Sequence, residues 1–461
     1  MTTEEVWTDQ DAQCWMEHIK KRRQEGLVLV LLTQGPDETL WGIGRDPHSD
    51  QYEWWGLLNP REVPRPSEMG IGEWIHLQEE IAASPGTKLS WIPSLRTERM
   101  VRGKGIFTYS LGPVHADVAE SLRYDLSVMG DEIVHLTLRH GWKARHVTYL
   151  CQGKSIINAL QVVERMTATS SFAHQWAFMM AVENAQNLRV DRGIKIYRSM
   201  ALEMERLASH LGDLAILASS TGLPVAQMDY LHLKEQILRW NNRLFGDRYL
   251  RGALLRNTIQ PDPQASHEII RVGEEAQKIT DNLLKTPSFL DRLVGAGKIP
   301  ESTVEFISPV GPVGRACGRK MDVRTLWDYG VYDEVSFSIP SSEGRDSYAR
   351  FLVKSREIAA SINIIRRLCP VAPTHSHALT YHSEEVKGRG IGVGMVEASR
   401  GMLTYAVWLD RSGGDVRHVA VATPSARNWH VVPPAMANGN ILQDFPIIDA
   451  SFQLTVAGWD Q

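Results

Sequence analysis

The sequence is poor in cysteine: its 461 residues include only four, Cys14, Cys151, Cys317 and Cys369. No two of them form a C-x-x-C pair, and they lie far apart along the chain. Isolated thiols argue against an iron–sulfur or zinc site held wholly by this chain. We therefore expect free, mostly buried thiols in a reducing compartment.

Long apolar runs and basic runs are missing as well. Apolar stretches such as LVLVLL at residues 27–32 are far too short to span a bilayer. The first residues, MTTEEVWTDQ, are acidic and polar, unlike a signal peptide. A net charge of −4 without a basic cluster gives little support to nucleic-acid binding. These absences predict a cytoplasmic protein, or one held on a membrane by partners.

The composition is that of a large globular protein, with 43% hydrophobic and 23% charged residues. Residues 1–104 predict a small α/β domain with a strand at LVLVLL. Residues 105–150 alternate in polarity and predict antiparallel strands with turns at 112–113 and 129–131. From 152 to 300 the apolar period becomes helical, and strands return at 390–425. The prediction is an α+β fold with a long central helical bundle flanked by small antiparallel sheets.

The clearest helix extends from Ile196 to Gly222, with an apolar stripe and a terminal glycine. Further helices are predicted at residues 231–245, 264–286 and 346–368.

Two segments carry the most informative patterns: ERMTATSSFAHQWAFMMAVENA (164–185) and DFPIIDASFQLTVAGWDQ (444–461). In the first, a Ser/Thr cluster precedes an apolar run, which predicts a helix N-cap. Thr167, Ser170 and His174 are spaced i, i+3, i+7, so they would share one face if the helix began early.

Both segments resemble the places where large subunits of membrane-bound [NiFe] hydrogenases carry paired cysteines, in patterns such as E-R-x-C-G-x-C-x-x-A-H and D-P-C-x-x-C. The four cysteine positions fall on Thr167, Ser170, Thr455 and Gly458. A nickel–iron centre needs soft thiolates, whereas hydroxyls are hard donors and glycine has no side chain. The resemblance therefore implies the frame of a nickel site without its ligands.

Further blocks, in order, are similar to hydrogenases and to the 49 kDa subunit of complex I. They are GPVHADVAE (112–120), LEMERLASHLGDLAILASSTG (202–222), LFGDRYLRG (244–252), the block from Gly311 to Leu368, and VEASRG (396–401). The resemblance covers about residues 105–461 and implies one domain there. By position, residues 1–104 resemble a diverged domain akin to the 30 kDa subunit of complex I.

The resemblance also assigns positions around the nickel site. Arg400 matches the arginine over the bimetallic centre, and His174 matches the histidine after the first cysteine pair. Thr148 falls where such hydrogenases have a glutamate thought to pass protons. Four thiolates and this acid are replaced together, which suggests a different function.

The residues that bind quinone in complex I are also replaced. The quinone head group is held by the second histidine of a G-P-x-H-P-x-x-H turn and by a tyrosine, and those positions are Ala119 and Ala168 here. His115 matches only the first histidine of the turn. Because alanine can neither donate a proton nor fix a head group, a site of this type is disfavoured.

Two positions retain the residues of the family. Arg145 and His210 match groups beside the terminal [4Fe–4S] cluster of the partner small subunit in complex I. Such groups suit the stabilisation of a reduced cluster. The simpler interpretations are a surface ion pair for Arg145 and a satisfied helix residue for His210.

The glycine-rich run 388–401 suggests a phosphate loop, but it lacks the strand and helix that such a loop needs, so we interpret it as a twisted strand. Five charged residues in the block related to the 49 kDa subunit predict a buried ion-pair network. They are Arg315, Asp322, Arg324, Asp333 and Asp346.

Three functions remain open. The first is a subunit of a membrane-attached, ion-translocating redox complex, packed against a [4Fe–4S] small subunit and antiporter-like membrane subunits on the cytoplasmic face of the cell membrane. In this hypothesis the chain binds no cofactor alone. The second is a non-catalytic scaffold that retains the fold. The third is an enzyme for a different small substrate, with His115, His174 and Arg400 as polar groups.

Overall fold

The computed structural model describes residues 101, 103–115, 120–256, 259–260, 262–372, 390–410 and 412–460, and the backbone of four strands near the N-terminus. These strands are β1 (Thr3–Trp7), β2 (Val28–Gln34), β3 (Leu40–Arg45) and β4 (Tyr52–Leu57). They form one sheet in the order β1-β4-β3-β2, with β1 parallel to β4 and the other neighbours antiparallel. The predicted strand at LVLVLL is confirmed as β2, while the domain boundary at residue 104 stays a prediction.

A three-stranded antiparallel sheet follows, formed by β5 (Ile106–Leu111), β6 (Arg123–Met129) and β7 (Glu132–Arg139). Both predicted turns are present. Gly130 connects β6 to β7 with φ of 65°, and Gly112 follows β5 with φ of 78°. At Gly112 a side chain is also sterically excluded, because a Cβ would lie 2.2 Å from the carbonyl oxygen of Leu122.

A second antiparallel sheet contains β8 (Lys154–Ser155), β9 (Ile391–Ala398), β10 (Gly401–Leu409) and β11 (Asp415–Ala422) in the order β8-β11-β10-β9. Its last three strands confirm the return of strands predicted at 390–425. The strands β9 and β10 are buried almost throughout, so this sheet belongs to the main core rather than to the surface.

The helices, in chain order, are α1 (Val147–Leu150), α2 (Ile156–Val163), α3 (Ser171–Ala185), α4 (Arg192–Ser220), α5 (Pro224–Phe245), α6 (Ala265–Leu283), α7 (Pro287–Leu293), α8 (Glu301–Ile307), α9 (Gly311–Arg315), α10 (Val323–Leu326), α11 (Ser347–Leu368), α12 (Pro424–Asn428), α13 (Val432–Met436), α14 (Phe445–Phe452) and α15 (Ala457–Asp460). Four of them form the central bundle: α4 packs on α5, α5 on α6, α6 on α11, and α11 on α4. The predicted α+β architecture is confirmed. None of the described helices is long and apolar enough to cross a membrane.

Local sequence explains the ends of the bundle helices. Pro224 starts α5 because proline lacks the N–H that a first helical turn leaves unpaired, so this helix begins earlier than predicted. Gly246 ends it in the left-handed region, with φ of 80°. Asp346 caps α11 by accepting a hydrogen bond from the backbone N–H of Ala349 at 2.8 Å.

The glycine-rich run forms β9, and two of its glycines allow α3 to lie directly on the strand. A Cβ at Gly392 would be 2.0 Å from the carbonyl oxygen of Ala181, and one at Gly394 would be 2.1 Å from that of Ala177. The interpretation as a strand with close backbone approach is therefore confirmed. Residues 388 and 389 of the run lie outside the described residues.

Candidate functional site

The Ser/Thr cluster folds as a tight turn in front of α3. Thr167 has extended backbone angles, φ −141° and ψ 120°, and precedes a 3-10 turn at Ala168–Ser170. Helix α3 begins only at Ser171. The condition of an early helix start is therefore not met, and Thr167 and Ser170 precede the helix that carries His174.

The cap of α3 comes from another helix. Glu205 of α4 accepts hydrogen bonds from the N–H of Phe172 at 2.5 Å and of Ala173 at 3.0 Å. Ser170 occupies the N-cap position, as the Ser/Thr cluster predicted, but its side chain makes no capping bond. A carboxylate is the stronger acceptor beside the positive end of a helix dipole. Burial nevertheless raises the pKa of Glu205 to about 8, against the effect of its two N–H donors.

Arg400 joins the two segments that carry the hydrogenase-like patterns. Its Nε donates to the carbonyl oxygen of Gln453 at 2.5 Å, and its Nη1 donates to the hydroxyl of Thr169 at 2.8 Å. Gln453 stands two residues before Thr455. The turn before α3 and the C-terminal segment thus meet at Arg400, where the resemblance implied that a bimetallic site would lie.

The same guanidinium also contacts α4. Its Nη1 donates to Ser209 at 3.2 Å, and its Nη2 lies 3.3 Å from Asp213. Asp213 pairs in addition with Lys354 of α11 at 2.9 Å. Burial alone would raise the pKa of Asp213, but the charges of Lys354 and Arg400 lower it below its ordinary value. Arg400 is therefore fixed by a buried anion as well as by the two segments.

Hydrogen-bonded hydroxyl groups surround the C-terminal positions. The Thr455 hydroxyl lies 3.1 Å from that of Ser425, and the Thr423 hydroxyl donates to the carbonyl oxygen of Gly458 at 2.5 Å. A Cβ at Gly458 would lie 3.1 Å from the Thr455 hydroxyl and 3.3 Å from the Thr423 hydroxyl. These hydroxyls are buried, have partners, and occupy the space beside Gly458.

The C-terminal segment is also attached to the region of the three-stranded sheet. The carboxylate of Glu120 accepts hydrogen bonds from the N–H of Val456 and, at 2.9 Å, from that of Ala457. Asp460 lies 2.9 Å from Nδ1 of His140, whose ring stacks on Trp459. These contacts keep Thr455 and Gly458 in place.

His174 lies in the core, with its Nδ1 at 2.7 Å from the Tyr405 hydroxyl of β10. Burial, followed by the charge of Arg145, lowers the pKa of His174 to about 3. The imidazole is neutral at physiological pH and faces the sheet, so it orders the core.

The positions related to the quinone site are separate from one another. Nε2 of His115 lies 2.6 Å from the carbonyl oxygen of Leu122, and its ring packs edge-on against Tyr124. Tyr124 in turn donates to Asp449 at 3.2 Å. Ala168 lies exposed in the 3-10 turn, whereas Ala119 lies outside the described residues.

Arg145 lies at the surface, and its partners among the described residues are backbone carbonyl groups rather than a carboxylate. Its guanidinium donates to the carbonyl oxygens of Arg165 at 2.8 Å and Met166 at 2.5 Å, directly before Thr167. The described residues therefore give no support to the simpler interpretation as a surface ion pair. Thr148 lies nearby in the sequence, half-buried in α1.

Large apolar side chains surround Arg145 in the sequence and are exposed. Trp142 retains 52% of its accessible surface, Tyr149 69% and Leu150 48%. Apolar side chains clustered in this way mark protein–protein contacts more often than free surface. We call Trp142, Arg145, Tyr149 and Leu150 the Arg145 face.

His210 is fully buried in the bundle. Its Nε2 lies 2.8 Å from Glu357 of α11, and burial lowers its pKa although the carboxylate opposes that shift. Its Nδ1 has no partner among the described residues. The side chain does not reach the surface of this chain, so its predicted effect on a partner cluster has to act through intervening groups.

A buried ion-pair network connects α4, α9, α10, α11 and β9. Arg315 contacts Glu357 at 2.5 Å and Glu397 at 2.9 Å, and Asp322 bridges Arg315 and Arg324 at 3.1 and 2.7 Å. The prediction is confirmed for Arg315, Asp322 and Arg324.

Two other predicted members do not belong to this network. Asp333 is exposed. Asp346 caps α11, and its Oδ2 accepts a hydrogen bond from the N–H of Gly295 at 2.8 Å. Sequence reasoning missed further buried charges in and around the network, namely Glu203, Glu205, Arg206, Asp213, Lys354, Glu357 and Glu397. A signal existed for some of them, since Glu203, Arg206, His210 and Asp213 recur every three or four residues on α4.

No group of three or more His, Cys, Asp or Glu side chains in the described residues is arranged to hold a metal ion. Cys151 is buried in the core, and burial raises the pKa of its thiol to about 12, so it remains protonated.

Comparison with known proteins shows which proteins this chain is similar to. Residues 263–388 match the model for the respiratory-chain NADH dehydrogenase 49 kDa subunit. The carbon monoxide-induced hydrogenase of Rhodospirillum rubrum is 27% identical, over 74% of this chain and 96% of that relative. Formate hydrogenlyase subunit 5 of Escherichia coli is also 27% identical, over 74% of this chain and 60% of the relative.

The mitochondrial NADH-ubiquinone oxidoreductase 49 kDa subunit of Neurospora crassa is 27% identical, over 57% of this chain and 56% of the relative. Among solved structures, a chain of the membrane-bound sulfane sulfur reductase, an archaeal respiratory membrane complex, has the same fold with a TM-score of 0.70. It is 22% identical, and the match covers 78% of this chain and 99% of that one.

Proposed function

We propose that this chain is a subunit of a membrane-attached, ion-translocating redox complex, because it is similar to the respiratory-chain 49 kDa subunit and to subunits of hydrogenase-type complexes. In this proposal it packs against a small subunit with a [4Fe–4S] cluster. Antiporter-like membrane subunits attach both to the cytoplasmic face of the membrane. The observation that carries the proposal is Arg400, which joins the turn before α3 to the C-terminal segment.

The proposal includes no nickel–iron centre. The support is chemical: the residues at the four family positions present two threonine hydroxyls, one serine hydroxyl and no side chain at Gly458. The hydroxyls of Thr455 and Thr423 close the space beside Gly458. Such donors do not fit a metal that requires several thiolates.

A quinone bound as in complex I is also left out of the proposal. His115 already bonds to a backbone carbonyl, and Ala168 offers no polar group. In this proposal, a redox event in the complex acts on this chain through Arg400 and the buried charged residues that contact it.

The buried charges suggest how such a response would spread. Asp213 is shared by Arg400 and Lys354, and it interacts electrostatically with His210. His210 pairs with Glu357, which belongs to the ion-pair network. A change of charge at Arg400 would therefore be felt across α4 and α11, because charges in a low-dielectric interior interact over several residues.

The Arg145 face supports the position of the small subunit. It combines exposed aromatic side chains with one guanidinium, a composition typical of interface centres. Arg145 also bonds to Met166, the residue before Thr167, so a partner seated there would stand beside the remodelled site.

The first experiment is mass spectrometry of what co-purifies with the chain from gently solubilised native membranes. We expect an iron–sulfur small subunit and antiporter-like membrane proteins. The double variant Trp142→Ser/Tyr149→Ser should lose the small subunit. Val225→Ser/Met228→Ser, which removes two other exposed apolar side chains, should retain it. Recovery as a free protein would contradict the proposal.

A second measurement separates electron transfer from a scaffold role. In the purified complex, Arg145→Gln and His210→Gln should each shift the midpoint potential of the partner cluster, because both change the charge or hydrogen bonding near the predicted cluster site. Arg189→Gln, an exposed position elsewhere, is the control. A potential unchanged in both variants favours the non-catalytic scaffold.

The third hypothesis, a different small substrate bound near His115, His174 and Arg400, has less support. His174 bonds to Tyr405 in the core, and His115 bonds to a backbone carbonyl in another part of the fold.

A further inference from the structure

A groove with a volume of about 550 Å³ lies on the outer side of α11, away from the Arg400 site. One wall is the exposed face of α11 and the other is the segment 336–340. The volume is in the range of small-molecule sites, about 300–1,000 Å³.

Among the described residues, the polar lining of this groove is cationic and contains no counter-charge. It contains Arg356, Arg366 and Arg367, together with Asn363, Ser336 and Ser338, and no acidic residue. Within the described part of the chain, Arg356 donates only to the carbonyl oxygen of Ser341, at 3.2 Å. Neither Arg366 nor Arg367 has an ion-pair partner in the part of the chain that the structure describes. Three guanidinium groups without carboxylates repel one another unless an anion is present.

The spacing along the helix gives the groove its shape. Arg356 and Arg366 are ten residues apart, which is about 15 Å along an α-helix. Between them the same face presents Ala359, Ala360 and Asn363, which are small and leave room. The result is a trough with one arginine at one end and two at the other.

The opposite wall is rigid and partly apolar. The Phe337 ring lies under the guanidinium of Arg324, with 4.9 Å from Cζ to the ring centroid, and it packs against Tyr332. Arg324 is itself held by Asp322 and Glu203. A ligand placed on Phe337 would therefore meet a preformed surface and would not have to order it.

A plainer role exists for two of the arginines, because basic residues in the last turn of α11 interact favourably with the helix dipole. This role does not explain Arg356, which lies near the middle of the helix, and it does not explain a trough between the charges. Because arginines lie at both ends of the trough, both ends favour an anionic ligand group.

We propose that this groove binds an organic phosphate ester. The planar guanidinium groups of Arg366 and Arg367 match phosphate oxygens, and the hydroxyls and amide nearby supply further donors. The organic part of the ligand lies along Ala359 and Phe337 toward Arg356. The ester is either a soluble nucleotide-like molecule or the headgroup of an anionic lipid, and both carry the same recognised group. This inference does not depend on the proposed function.

The test uses the full chain and two probes. Binding of ADP is measured by titration calorimetry, and binding to vesicles of phosphatidylglycerol is measured by co-sedimentation, with phosphatidylcholine vesicles as the reference. Arg366→Gln/Arg367→Gln should weaken the binding of the probe at least tenfold. The control Arg189→Gln/Arg417→Gln removes two exposed arginines elsewhere and should leave the binding unchanged.

The two probes distinguish the two sources of the ester. Loss of ADP binding in the groove variant alone supports a soluble ester, and loss of vesicle binding alone supports a lipid headgroup. The proposal is overturned if neither probe binds, if the control variant loses binding equally, or if hexaglutamate binds more tightly than both esters. Should the double variant melt at a lower temperature than the wild type, Arg356→Gln, at the other end of the trough, decides by the same criteria.

Discussion

The buried guanidinium of Arg400 donates a hydrogen bond to the hydroxyl of Thr169 at 2.8 Å. This bond attaches the exposed turn before α3 to the side chain of Arg400. The other nitrogens of the same side chain contact Gln453 and Asp213. One residue thus determines the relative positions of the turn before α3, the C-terminal segment and α4.

Arg400→Gln should loosen both segments together. Asp213 would retain only Lys354 as a partner, and breaking a buried ion pair costs about 3–5 kcal/mol. We expect a loss of about 2–4 kcal/mol in unfolding free energy, because glutamine can retain one hydrogen bond. Hydrogen exchange measured by mass spectrometry should increase at residues 167–171 and 453–457. Exchange that stays at the wild-type rate would contradict this account, and Arg417→Gln serves as the exposed control.

Glu205 should make the stability depend on pH. Its folded pKa of about 8 lies above the value of 4.5 for a free glutamate, so the folded state holds the proton more tightly. The stability it contributes is therefore present below pH 4.5 and is lost as the pH rises toward 8, at most about 1.4 kcal/mol per pH unit.

Glu205→Gln imitates the protonated side chain and can still accept hydrogen bonds from the N–H of Phe172 or Ala173. The melting temperature of the variant should rise relative to the wild type between pH 5 and pH 8.5. The exposed Glu343→Gln change should leave the pH profile as it is. A variant with the same profile as the wild type would show that Glu205 is ionised in the folded chain.

Substitution of Glu357 and of Glu334 should show how much more a buried carboxylate contributes to stability than an exposed one. Glu357 is enclosed and contacts Arg315 and His210, whereas Glu334 forms a surface pair with Arg192. Glu357→Gln should cost about 3–5 kcal/mol, since it leaves buried positive charge uncompensated. Glu334→Gln should cost no more than about 1 kcal/mol. Denaturant unfolding measures both, and equal costs would contradict the existence of a dry network.

Gly394 should not tolerate a methyl group. A Cβ there would lie 2.1 Å from the carbonyl oxygen of Ala177 and 2.6 Å from the N–H nitrogen of Ala181, so α3 would have to move away from β9. Gly394→Ala should destabilise by about 1–3 kcal/mol. Gly414→Ala, where the nearest atom would be 3.5 Å away, is the matched control. Similar melting temperatures for the two variants would contradict the close packing.

The helices and strands could be predicted from the sequence because the patterns that indicate them are local. Alternation predicted β5 to β7, and the glycines of β9 predicted a strand in close contact with another element. Apolar periodicity predicted the whole of α11 and residues 231–245 of α5. The earlier start of α5 shows the usual uncertainty at helix ends.

The candidate site could be predicted from the sequence only in part. Resemblance identified Arg400, Thr167 and Gly458, but the cap by Glu205 was missed because it joins residues 33 positions apart. Charged residues are ordinarily expected to face solvent, but many of those on the central helix α4 are buried. Its charges are buried because partners on α11 and β9 pair with them, and no local pattern in α4 reveals those partners.

The contacts of Arg400 also have a consequence for the order of folding. They close loops of 231 residues to Thr169, 191 residues to Ser209 and 53 residues to Gln453. Contacts between residues so distant in sequence form after the local helices and hairpins, because the chain entropy has to be lost before they can stabilise anything. The site thus becomes complete only when the bundle, the sheet and the C-terminal segment have assembled. Protection of the turn at Thr169 would then mark the last stage of folding.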